Sequence, residues 1–204
     1  LGKLAAAFLF PAAGILVEKI FSMDAAWAFT VAALLWVYLG IQKGQVTQDG
    51  LTGLNNRRRL DQYMWELDER SGERETCCYL LMDVNKFKKV NDTYGHNAGD
   101  AVLQRIAAVL QEHVASEDEA VRWGGEEFIL MCMDCPLVKA QEIAEHIREI
   151  VEHMSIEFEE HHIAVTMSFG VYQLDGDQTM DQNVKQADER LYQAKTTGRN
   201  RVVV

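Results

Sequence analysis

The chain has 204 residues and a formal net charge of −11, which suits one globular domain of ordinary size with room for a short extra module. Residues 1–48 carry three basic and two acidic side chains, leaving seventeen basic against twenty-nine acidic beyond them. A surface that acidic repels nucleic-acid backbones, so no nucleic-acid partner is expected, and any phosphate-bearing ligand must be small and held locally by a metal and a few cations.

The chain opens on Leu1 rather than Met, as a fragment does. Leu4 to Val17 is apolar around Pro11; Glu18, Lys19 and Asp24 then interrupt, and Ala25 to Ile41 forms a second apolar run of 17 residues. That is close to the ~18 to 20 residues that span a bilayer. Residues 1–41 therefore read as a transmembrane helical hairpin, with a buried helical pair of a soluble domain as the competing reading. Lys3 and Lys43 flank its outer ends, which places both ends in the cytoplasm by the positive-inside rule and the protein at the inner (cytoplasmic) membrane. Residues 42–48 are polar and linker-like, and a single domain over 49–204 follows.

Asn55 and Asn56 suit the cap of a helix from Arg57 to about Arg70, with Leu60, Met64 and Leu67 on one face. Tyr79 to Met82 reads as a buried strand that stops at Asp83, and after a short polar segment Asp100 to Val114 is an amphipathic helix. Arg122-Trp123-Gly124-Gly125-Glu126-Glu127-Phe128 sits between apolar runs, so it reads as strand, glycine turn and strand, with both glycines free to take positive φ. Pro136 starts another helix; Ile163 to Val171 alternates as a strand; a last helix covers about Asn183 to Thr196, and Val202 to Val204 closes as an edge strand. The order is that of an α+β ferredoxin-like palm, a central and mainly antiparallel sheet with flanking helices, in which the first strand lies beside the strand that enters the hairpin. Cys132-Met133-Asp134-Cys135 has redox or zinc spacing, but no matching second pair accompanies it and Cys77-Cys78 lies in an apolar run. Four structural thiols in a reducing compartment are expected.

Adjacent glutamates at a hairpin tip repel unless a cation sits beside them, and carboxylates are the ligands hard divalent ions prefer. Gly-Gly-Glu-Glu alone is equally a solvated acidic turn. In the palm order, Asp83 at a strand end reaches Glu126 and Glu127, so three carboxylates from two distant segments are expected to converge. Lys88 follows the first strand, and Lys195 and Arg199 lie four apart at the end of the last helix, where cations also serve the helix dipole.

Five segments in order and spacing then resemble the GGDEF domain of diguanylate cyclases: Asp49 to Arg58, Asp83 to Asp92, Gly95 to Asp100, Gly124 to Phe128, and Ala187 to Lys195 continuing through Gly198-Arg199-Asn200. The resemblance covers residues 49–204 and implies a synthase that condenses two GTP into cyclic di-GMP and two pyrophosphates. It implies Mg²⁺ (or Mn²⁺) held by Asp83, Glu127 and the Val84 carbonyl, with Glu126 assisting the second metal or the attacking ribose 3′-hydroxyl. Phe87 and Lys88 would offer backbone amides to the β and γ phosphates, Lys195 and Arg199 side-chain cations, and Asn91 and Asp100 contacts to guanine. One GTP per domain implies a homodimer, since ring closure needs two half-sites face to face. The competing class is a non-catalytic GTP or cyclic di-GMP receptor of the same fold, whose usual sign is substitution at Asp83, Glu126, Glu127 or Lys195; all four are intact. Two departures stand out. Asn85 replaces the second acid of the family's Asp-x-Asp-x-Phe-Lys, and Ala115-Ser116-Glu117-Asp118 lacks the arginine of the family's frequent inhibitory Arg-x-x-Asp, so no inhibitory site is expected at Ala115.

Overall fold

The computed structural model describes residues 26–42, 47–69, 77–115, 117–175 and 178–204. It divides into two compact units, Leu1–Val46 and Thr47–Val204. In the first, α1 covers Ala26–Gln42. No helix among the described residues is long and apolar enough to cross a membrane, so the expected membrane localisation is contradicted and the expected transmembrane hairpin is unsupported. The physical reason is length: over the described residues α1 has 17, which at ~1.5 Å per residue is shorter than a hydrocarbon core of ~30 Å. The expected first span, Leu4 to Val17, lies outside the described residues.

The second unit is an α+β palm. Its sheet has six strands in the order β1-β3-β4-β2-β7-β8: β1 (Asn55–Asn56), β2 (Cys78–Val84), β3 (Glu119–Gly124), β4 (Glu127–Cys132), β7 (Met167–Gln173) and β8 (Val202–Val203). The three inner pairings are antiparallel, while β1 on β3 and β8 on β7 are parallel, so the sheet is mixed. Strand β2 neighbours β4, which leaves the hairpin, rather than β3, which enters it, and this corrects the expected order. Strands β5 (Ile156–Phe158) and β6 (His161–Ile163) form a separate small hairpin, so the alternating run from Ile163 to Val171 is not one strand.

Strand β2 is buried along its whole length, because helices cover both faces of the sheet. Cys78, Leu80 and Met82 face one core, shared with α3 (Phe87–Tyr94), α4 (His96–His113) and α5 (Leu137–His153). Tyr79 and Leu81 face the other, shared with α2 (Arg57–Glu69) and α6 (Met180–Thr196). Alternation with period two assigns every later residue of the strand to one of these sides. On the second side, a Cβ at Gly170 of β7 would lie 2.2 Å from the Ala187 carbonyl and 2.4 Å from the Leu191 nitrogen. A glycine there lets the α6 backbone rest directly on the sheet. All four cysteines are buried and none is in a disulfide, and burial, with Cys135 and Cys77 nearby, pushes the Cys78 thiol up to about 12. Such thiols are inert packing groups.

Candidate active site

Asp83 continues the series Tyr79, Leu81, so its carboxylate points to the α6 side of the sheet. Glu127 continues Met131, Ile129 on β4 and lies opposite Asp83 in register. Side chains paired in this way sit on one face about 5 Å apart. Lys195, near the end of α6, reaches across and places its Nζ 2.7 Å from Asp83 Oδ2. Burial pushes the Asp83 carboxyl above its usual range, against the pull of the Lys195 hydrogen bond and charge and the charge of Arg199. Burial also raises Glu127; Lys195 opposes this, while the negative charges of Asp83, Asp188 and Glu126 add to it. The end of the sheet is therefore a partly dry, negative spot that draws a cation.

The hairpin tip is a two-residue link, Gly125-Glu126, between paired Gly124 and Glu127. Only Gly125 of the two glycines takes positive φ, 44°, at the first link position where tight hairpins of this kind need it. A bulge falls between Arg122 and Gly124. It turns the Arg122 guanidinium back onto the tip, where Nε and Nη2 donate to the Gly125 carbonyl at 3.1 and 2.9 Å. Nη1 of the same residue donates to both oxygens of Asp49, at 3.0 and 3.2 Å. Burial alone would raise the Asp49 carboxyl, but the Thr52 and Arg122 hydrogen bonds outweigh it and hold Asp49 low. The Glu126 carbonyl accepts from the Val84 N–H at 3.2 Å, which ties the tip to the end of β2. Among the described residues no group of three or more His, Cys, Asp or Glu side chains is arranged to hold a metal alone. The expected three-carboxylate convergence thus reduces to the Asp83–Glu127 pair, with Glu126 felt as a neighbouring charge.

Two residues beyond Val84, Lys86 adopts φ 58° and caps α3 with its backbone alone. The first helical residues are Phe87 and Lys88, whose amides belong to the helix end that attracts anions. Asn91 lies on α3 and Asp100 on α4, joined by a tight turn in which the Gly95 N–H donates to the Asn91 carbonyl at 2.9 Å. The Asn91 Oδ1 is buried with no hydrogen-bond partner, and Gly99 faces it so closely that a Cβ there would lie 1.9 Å away. A buried acceptor left without a donor is costly, and a ligand N–H would satisfy it. Arg199 follows α6 at φ 62°.

Four contributors had no assignment from sequence: Arg122, Asp188, Gly99 and Ser168, the last paired in register with Asp83 from the other side. The available signals were Arg122 two residues before the glycine pair and the motif segments that contain Gly99 and Asp188.

Residues 46–201 match the family model "Diguanylate cyclase, GGDEF domain". The chain is 38% identical over 146 residues to Diguanylate cyclase A of Treponema denticola, covering 71% of this chain and 39% of that protein. It is 40% identical over 159 residues to the response regulator PleD of Caulobacter vibrioides, covering 76% and 35%. The chain thus spans little more than a third of the length of these relatives. Among solved structures, the GGDEF domain of DgcB from Caulobacter crescentus, in complex with c-di-GMP, aligns with TM-score 0.72 and 33% identity over 78% of this chain and 95% of that one. With a family model matched across most of its length and a palm fold shared with a solved GGDEF domain, the chain belongs to the GGDEF family of diguanylate cyclase domains.

Proposed function

We propose that this chain condenses two GTP into cyclic di-GMP and two pyrophosphates, with residues 49–204 as the catalytic domain. The observation that carries this reading is the in-register pair Asp83 and Glu127 under the Lys195 ammonium. Two opposed carboxylates whose field already draws an ammonium fit Mg²⁺ or Mn²⁺, ions held in nucleotide enzymes by one or two carboxylates and completed by phosphate oxygens. Asp83, Glu127 and the Val84 carbonyl would hold the ion, and bound there it would acidify the attacking 3′-hydroxyl and neutralise charge at the reacting phosphate. Glu126, on the hairpin link, orients that hydroxyl or assists a second ion. The amides of Phe87 and Lys88 receive the β and γ phosphates, and Lys195 and Arg199 balance their charge. Asn91 and Asp100 read guanine: the unpartnered Asn91 Oδ1 takes a donor, and the Asp100 carboxylate accepts N1–H and the exocyclic amine. Adenine presents a lone pair at N1 and no amine at C2, so it would leave the carboxylate unpaired. Each chain supplies one such set, so the active species is a homodimer joined by a two-fold axis.

The test is product formation from GTP and Mg²⁺ by the purified chain, followed by chromatography, beside Asp83→Asn and Glu127→Gln. Each variant removes a full charge at constant size and is expected to lower turnover by at least about a hundredfold, with its melting temperature nearly unchanged. Near wild-type turnover in either variant would overturn the metal assignment, and GTP binding without any product from the wild type would leave only a receptor.

A further inference from the structure

Arg199 and Asn200 both adopt positive φ, 62° and 47°. The left-handed region is costly for a residue with a Cβ, and an arginine there has no side-chain compensation of its own. The backbone anchors on either side are the Arg199 N–H on the Ala194 carbonyl at 2.8 Å and the Phe169 N–H on the Arg201 carbonyl at 2.9 Å. On one side the turn borders a cavity of about 610 Å³, shared with Asn85, Lys86, Lys89 and Glu152, so packing does not fix it there.

What meets the centre of the turn is a chain of hydrogen bonds from the sheet. The Asn200 N–H donates to Ser168 Oγ at 3.2 Å. That hydroxyl is fully buried and donates in turn to Asn85 Oδ1 at 2.7 Å. Asn85 Nδ2 donates to Thr166 Oγ1 at 2.9 Å. Asn200 is also held by its side chain, donating to Glu152 Oε1 at 2.8 Å and accepting from Arg148 Nη1 at 3.3 Å. An ionised carboxylate accepts only, whereas the amide at residue 85 accepts from Ser168 and donates to Thr166 at once. The substitution that sets this chain apart from the family pattern at Asn85 is thus part of a relay. It runs from the strand end that carries Asp83 to the turn that carries Arg199.

We propose that Ser168 and Asn85 are positioning residues that hold the Arg199–Asn200 turn in its left-handed form and so aim the Arg199 guanidinium at the terminal phosphates of the nucleotide. The inference rests on the reading above that Arg199 meets those phosphates. With the relay cut, the turn relaxes toward commoner backbone angles, and the guanidinium loses its fixed approach while the guanine contacts at Asn91 and Asp100 stay as they are. Triphosphate binding then suffers and monophosphate binding does not.

The test is calorimetric titration, with Mg²⁺ present, of an α,β-methylene GTP analogue that cannot react, and of GMP. The proteins are wild type, Ser168→Ala, Arg199→Ala and the double variant; Thr166→Val serves as a second cut in the relay should Ser168→Ala fail to fold. Ser168→Ala is expected to weaken the analogue about tenfold, as the loss of a buried hydrogen bond does, to leave GMP unchanged, and to add nothing in the Arg199→Ala background. An unchanged Kd in both relay variants, equal losses for GMP and the analogue, or a full further loss in the Arg199→Ala background would overturn the proposal. If Arg199→Ala alone binds the analogue as wild type does, the phosphate assignment of Arg199 fails instead.

Discussion

A methyl group at residue 99 would lie 1.9 Å from Asn91 Oδ1 and 3.0 Å from both Asn91 Cγ and Phe87 Cζ. The nearest of these is the free end of a side chain, which can swing away, so Gly99→Ala should cost little stability and instead move the acceptor proposed to read guanine. The expected result is a KM for GTP raised about tenfold, the worth of one buried hydrogen bond, with kcat nearly kept and the preference for GTP over ATP narrowed. Steady-state rates with both nucleotides check this, and unchanged discrimination would move base reading away from Asn91. The meeting of Asp83, Glu127 and Lys195 was legible in the sequence because carboxylates and cations at the ends of apolar runs are conspicuous. Gly99 was not: nothing in a string of residues says which glycine has a side chain pressed against its Cα. Ser168 was hidden for a related reason, since a small hydroxyl inside an alternating strand reads as filler until its partners Asn85 and Asn200 are brought beside it by pairing.

At the scale of elements, long periodic stretches were legible and short irregular ones were not. Helix α6 starts at Met180 rather than near Asn183 because Thr179 and Gln182 form a capping box, a signal the apolar periodicity does not carry. Helix α3 has eight residues and a backbone-only cap at Lys86 in the left-handed region, so no Ser, Thr or Asp marked its start. The hairpin was legible from its glycines, but its stiffness comes from the Arg122 fork, which depends on the bulge at residue 123. Arg122→Ala removes the bonds to Gly125 and Asp49 together and is expected to lower kcat about tenfold with little change in KM, because the tip carrying Glu126 and Glu127 loosens. Arg122→Lys should not restore the rate, since lysine lacks the fork; wild-type kcat in Arg122→Ala would sink the idea. Just before β3, Ala115 offers no guanidinium, and the half-buried Asp118 spends its carboxylate on the Met133 N–H at 2.8 Å. A carboxylate so placed repels a phosphodiester rather than recruiting it. Initial rates against added cyclic di-GMP, with GTP varied, should therefore show no noncompetitive inhibition of the wild type and its appearance in Ala115→Arg. Strong noncompetitive inhibition of the wild type would refute this.

For the whole molecule, the proposed single half-site per chain has to be reconciled with a formal charge of −11. If both nucleotides must be held face to face, turnover per chain depends on how many chains are paired, so specific activity should rise in proportion to protein concentration when pairs are few and level off when they dominate. Net charge of one sign opposes that pairing. The opposition is long-ranged at low salt, where the Debye length is about 30 Å at 0.01 M, and short-ranged at about 10 Å in 0.1 M. Raising KCl between those limits at saturating GTP and Mg²⁺ should therefore lower the protein concentration that gives half-maximal specific activity. Saturating nucleotide matters, because salt would also screen the proposed contacts of Lys195 and Arg199 with phosphate and otherwise mask the effect. The measurement is a dilution series of initial rates at each salt concentration, with sedimentation velocity on the same samples. Specific activity that is flat over a hundredfold dilution, with sedimentation showing monomer, would overturn the requirement for two chains. A half-maximal concentration that climbs with salt would mean that attractive charge pairs across the interface outweigh the net repulsion, and the argument from overall charge would fail while the dimer stood.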